Sequence, residues 1–82
     1  MRTQIVLPEL GLPAGRLVTL SVWYAAPGDQ VYEGDRLVEV LTDGATFDVA
    51  CPATGCLVER HALPRDVLTV GQVLGIVEES DP

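Results

Sequence analysis

Hydrophobic and polar residues alternate along this chain with the period of β-strands, in short runs cut by turn residues. The runs are Gln4–Leu7, Leu17–Tyr24, Arg36–Thr42, Ala45–Ala50, Gly55–Arg60 and Val73–Glu78. No window of helical length keeps apolar residues at i, i+3, i+4 and i+7 without a Gly or Pro cutting it. The eight glycines and six prolines fall almost entirely between the runs, where turns need them. The pattern predicts an all-β domain, a small sandwich or flattened barrel.

The chain also repeats itself. Pro27, Asp29, Val31, Gly34, Leu37 and Val40 match Pro64, Asp66, Leu68, Gly71, Leu74 and Val77 at a constant offset of 37. Upstream, Gly15, Leu17 and Val18 match Gly55, Leu57 and Val58 at an offset of 40. Halves this short cannot each bury a core, so they are expected to pack together about a pseudo-twofold axis. On this view Asp29, Gly34, Asp66 and Gly71 fix loops, and Pro27 and Pro64 stiffen equivalent turns.

Asp43-Gly44 predicts a hairpin, because both central residues of a type I′ turn need φ > 0. The pairing then runs back from Thr42 opposite Ala45. Val40 opposes Phe47 and Val38 opposes Val49 on an apolar face. Leu41 opposes Thr46 and Glu39 opposes Asp48 on the other. A slip by one residue would expose the apolar face, so the register is well specified. Glu39 and Asp48 set like charges across from each other, which implies a solvated face.

Composition narrows the function. Five arginines and no lysine stand against twelve Asp and Glu in 82 residues, a net charge of −7. That balance argues against nucleic acid and against an anionic membrane surface as partners. No apolar run approaches the ~20 residues of a membrane span, and the N-terminal residues do not read as a signal peptide, so a cytoplasmic location is expected. Cys51 and Cys56 are too few for a disulfide scaffold and lack further metal ligands. His61, the single histidine, and the candidate nucleophiles Ser21, Cys51 and Cys56 form no recognisable catalytic set, so independent catalysis is not expected. Trp23, in an alternating strand, reads as part of the core or its cover.

Several motifs in order carry a resemblance. They are Leu7-Pro8-Glu9-Leu10-Gly11, Trp23-Tyr24 with Gly28-Asp29-x-Val31, and Gly34-Asp35-x-Leu37-Val38-Glu39-Val40. Thr42-Asp43-Gly44-Ala45-Thr46-x-Asp48-Val49, Pro52-Ala53-x-Gly55-x-Leu57 and Val70-Gly71-x-x-Leu74 follow. The chain resembles lipoyl domains of the acyltransferase (E2) component of 2-oxoacid dehydrogenase complexes. The resemblance implies two four-stranded antiparallel sheets, a domain over residues 1–79, and a tail or linker start at 80–82. Glu78, Glu79 and Asp81 read as a charged tail ending in Pro82.

In the family the hairpin tip is Asp-Lys-Ala, and lipoate is attached to the lysine. Here the tip is Asp43, Gly44 and Ala45, so Gly44 holds the attachment position. Arg cannot replace the amine, because guanidinium stays protonated and is a poor nucleophile. Biotin carriers of the same fold use a lysine between methionines, and Met1 is the single methionine. The sequence as it stands takes neither lipoate nor biotin by the family's route. It therefore reads as a recognition or structural module in an acyl-transfer assembly. One alternative is an ordinary carrier whose lysine was substituted in the laboratory. Another is a lysine-free adaptor module, although adaptors usually insert a helical hairpin where this tip has two residues.

The resemblance implies a protein partner, a thiamine-dependent decarboxylase or an acyltransferase, reading the hairpin together with the loop Gly11–Arg16. Exposed Leu12 and Pro13 beside the carboxylates Glu39 and Asp48 would form that surface. Otherwise Leu12 tucks into the barrel end.

Overall fold

The computed structural model describes residues 1–80, and Asp81 and Pro82 lie outside the described residues. Eight strands form two antiparallel sheets of four. They are β1 (Arg2–Val6), β2 (Val18–Trp23), β3 (Gln30–Val31), β4 (Arg36–Thr42), β5 (Ala45–Ala50), β6 (Gly55–Arg60), β7 (Val67–Leu68) and β8 (Val73–Glu79). One sheet runs β1-β8-β6-β3 and the other β5-β4-β2-β7. The inward residues of each run meet in one core. Ile5, Leu57, Leu74 and Val77 come from the first sheet, and Leu20, Val38, Val40 and Val49 from the second. Trp23 is half-buried against that core and donates its indole N–H to the Ala62 carbonyl at 2.9 Å.

The expected pseudo-twofold is present in the hydrogen bonding. Leu20 donates to the Asp66 carbonyl and accepts from Arg65, while Leu57 donates to the Asp29 carbonyl and accepts from Gly28. Asp29 and Asp66 each accept the N–H three residues earlier, of Ala26 and Leu63, and close matching turns. Gly34 and Gly71 sit at φ +90° and +87° and donate to the carbonyls of Cys51 and Leu7.

The structure corrects the upstream part of the repeat. Leu20 pairs with Leu57 in role, so the offset of 37 continues and the offset of 40 does not hold. The bulges agree, lying between Leu20 and Val22 in one half and between Leu57 and Glu59 in the other. The match of Gly15 with Gly55 is a coincidence of small residues, and the counterpart of Gly55 is Val18. A second correction concerns the tail: Glu78 ends the expected run and Glu79 extends it, so both are strand residues of β8. Arg2 pairs with Glu78 at 3.1 Å, and the Thr3 hydroxyl donates to Glu79 at 2.6 Å.

Candidate functional site

The hairpin joins β4 to β5 with the expected register, from Thr42 opposite Ala45 back to Val38 opposite Val49. Asp43 and Gly44 have φ of 50° and 76°, the positive pair that a two-residue type I′ turn requires. Val38 and Val40 are fully buried, whereas Asp43, Gly44 and Ala45 are exposed. The tip is thus a solvent-facing type I′ turn at the end of a hairpin whose other face is buried and apolar. Beneath it Thr42 is 3% exposed, and its hydroxyl has no hydrogen-bond partner.

The loop after β1 reaches this tip. Arg16 places Nη1 2.7 Å from the Asp43 carboxylate, with both groups about half exposed. The loop Gly11–Arg16 is the one the resemblance implies, and Arg16 is its connection to the tip, which the sequence reading does not single out. Its position, facing the single carboxylate of the tip, depends on how the loop folds back and leaves no periodic signal. Of the two readings of Leu12, the structure bears out the second: it is half-buried against the core, as is Leu10. Burying Leu12 closes the end of the barrel, so Pro13 alone of that pair stays at the surface. A cleft of about 210 Å³ lies here, bounded by Glu9, Leu10, Leu12, Pro13, Arg16 and Val70 among others.

The two carboxylates on the hairpin differ. Asp48 is exposed. Glu39 is half-buried and accepts hydrogen bonds from Ser21 Oγ at 2.9 Å and from the Tyr24 hydroxyl at 3.2 Å. Its charge is therefore engaged within the sheet, which relieves the like-charge pairing with Asp48. Burial and the Glu39 carboxylate raise the Tyr24 phenol above its ordinary value, with Arg36, stacked 4.4 Å from the ring centroid, opposing.

The other reactive groups are dispersed. Cys51 is buried and Cys56 half-buried, and both are free. Burial pushes the Cys51 thiol up, so it stays neutral, and its Sγ lies 3.0 Å from the Ala53 carbonyl. His61 is exposed and bonded to Glu59 at 2.8 Å. Among the described residues no cluster of His, Cys, Asp or Glu could hold a metal ion.

The architecture and the hairpin have counterparts in known proteins. The profile of the biotin/lipoyl family, described as "Biotin-requiring enzyme", matches residues 3–77. The chain belongs to the biotin/lipoyl-attachment family. Its relatives place it among the lipoyl domains of E2 components. It is 32% identical over 94% of its length to the dihydrolipoyllysine-residue acetyltransferase component of the acetoin cleaving system of Pseudomonas putida. It is 33% identical over 92% of its length to the lipoamide acyltransferase component of the branched-chain α-keto acid dehydrogenase complex of Bacillus subtilis. The chain spans only 20% and 18% of those two proteins. The fold also matches the solution structure of the lipoyl domain of the 2-oxoglutarate dehydrogenase complex from Azotobacter vinelandii. The TM-score is 0.73 at 24% identity, covering 94% of this chain and 99% of that one.

In this lipoyl-type domain the residues at the tip do not fit the family's prosthetic group. Asp43, Gly44 and Ala45 present a carboxylate, a hydrogen and a methyl group, and the 82 residues contain no lysine side-chain amine to be acylated.

Proposed function

We propose that this lipoyl-type domain carries neither lipoate nor biotin and acts as a protein-recognition or structural module within an acyl-transfer assembly. The observation that carries the reading is Gly44 at the tip, in a chain segment that contains no lysine. The geometry around it supports the same view. Gly44 at φ +76° is suited to glycine, and Asp43 is tied to Arg16. As partner we propose a thiamine-dependent decarboxylase or an acyltransferase in the cytoplasm; the relatives support the coarser point that such domains belong to multienzyme systems.

The test is direct. Incubation with a lipoate ligase, lipoate and ATP should leave the intact mass of the domain unchanged. A gain of one lipoyl group would overturn the reading.

A further inference from the structure

The pseudo-twofold provides an internal control for the two outer faces. On the outside of the second sheet, Thr19 pairs with Leu41 on one side and with Val67 on the other, so the three form one row. Leu41 is 40% exposed and Val67 60%. The equivalent row on the first sheet is Glu78, Cys56 and Gln30, paired in the same way. One framework builds both rows, so the fold does not demand apolar residues at Leu41 and Val67.

Arg65 stands beside this row and shows the same asymmetry. It follows Pro64 in a turn where the Asp66 N–H donates to the Leu63 carbonyl at 3.0 Å. Arg65 has φ +76°, and its counterpart in the other half, after Pro27, is Gly28 at φ +99°. A turn with Pro second and positive φ third favours glycine, and a side chain there is strained. Arginine at this place is therefore kept against local backbone preference, and such outliers tend to mark function. Among the described residues Arg65 makes no ion pair, whereas Arg2 and Arg16 do. A groove of about 520 Å³ joins Leu41 to Arg65, lined by Thr19, Leu20, Ser21, Leu41, Pro64 and Arg65, and Val67 adjoins it through its pairing with Thr19.

We propose that this groove docks an extended apolar segment of a partner protein that carries one carboxylate, received by Arg65. Apolar side chains of the segment cover Leu41 and Val67. Charge selects the occupant. A free guanidinium at the rim attracts a carboxylate within a screening length of about 8 Å, while the net charge of −7 repels an acidic run. A single acid among apolar residues satisfies both conditions. The proposal goes beyond the reading of the tip, because it holds whether or not the tip is ever acylated.

The probe is a phage-displayed decapeptide library panned against the 82-residue domain, with enriched peptides then titrated into isotope-labelled protein. Enriched sequences should place one Asp or Glu among apolar residues, and shifts should cluster on Thr19, Ser21, Leu41, Arg65 and Val67. Arg65→Gly adopts the residue of the other half, so it should keep the fold and bind at least tenfold more weakly. Replacing the peptide's acid by its amide should weaken binding to the native domain but not to Arg65→Gly. The proposal is overturned by absent enrichment, by enriched peptides without an acid, by shifts elsewhere, or by unchanged affinity in Arg65→Gly. Concentration-dependent shifts on the groove without peptide would also overturn it, since a second copy would then be the occupant.

Discussion

Gly55 lies so close to Glu78 on the neighbouring strand that a β-carbon built on it would collide with the Glu78 carbonyl. Its counterpart in the other half is Val18, so this closeness belongs to one sheet and not to the repeat. Gly75 is similarly enclosed, with the Glu59 carbonyl 2.5 Å and the Trp23 ring 3.1 Å from where its β-carbon would stand. Gly55→Ala should therefore destabilise the domain by about 3 kcal/mol, because backbone must move to admit the methyl group. Gly44→Ala, with open space around it, should cost only the strain of a β-carbon at φ +76°, about 1–2 kcal/mol. Chemical denaturation of the two variants checks the contrast.

Gly44→Lys should be modified by a lipoate ligase, since Asp43, Ala45 and the hairpin register are retained. It should also lower stability by about 1 kcal/mol, because φ +76° is strained for a residue with a β-carbon. Intact mass and denaturant unfolding read the two effects separately. A folded variant that the ligase ignores would show that recognition features beyond the tip differ as well.

Arg16→Gln removes the link from the loop to Asp43. Both partners are about half exposed, so the loss of stability should stay within about 1 kcal/mol. The larger effect should be dynamic, with backbone relaxation showing faster motion of Gly11–Arg16 and of the tip. Unchanged relaxation there would mean that Leu10 and Leu12, packed on the core, hold the loop by themselves.

Glu59 is held below its ordinary carboxyl value of 4.5, first by the hydrogen bond to His61 and then by Arg2. A depressed acid stabilises the fold above its unfolded value, and that contribution is lost as pH falls through the folded value. Stability should thus decline below about pH 4.5, and His61→Ala should flatten that decline. Thermal unfolding from pH 3 to pH 6 (a range of about three units around the carboxyl values) measures it.

The thiols should differ in reactivity. Cys51 is buried with its thiol pushed up, while Cys56 is partly exposed. A neutral-pH thiol reagent should label Cys56 first and reach Cys51 only on unfolding. Equal rates in the native state would contradict the buried placement of Cys51.

The sequence by itself determined most of the framework. Alternation gave the six longer strands, Asp43-Gly44 and the apolar set Val38, Val40, Phe47 and Val49 gave the hairpin and its register, and the 37-residue repeat gave the pseudo-twofold. These rest on local periodicity and turn chemistry, which a linear string records. The tertiary structure decided the rest. Strands β3 and β7 have two residues each, too short to show a period, and exist through pairing with β6 and β2. Leu12 is covered because the loop folds back over the barrel end, and Glu39 is engaged because Ser21 and Tyr24 face it across the sheet. Likewise, the repeat aligns Arg65 with Gly28, but only the folded turn, with the Arg65 N–H on the Leu20 carbonyl, shows that Arg65 shares its positive φ. Contacts between residues far apart in the chain set each of these outcomes, and such contacts have no signature in the spacing of neighbours.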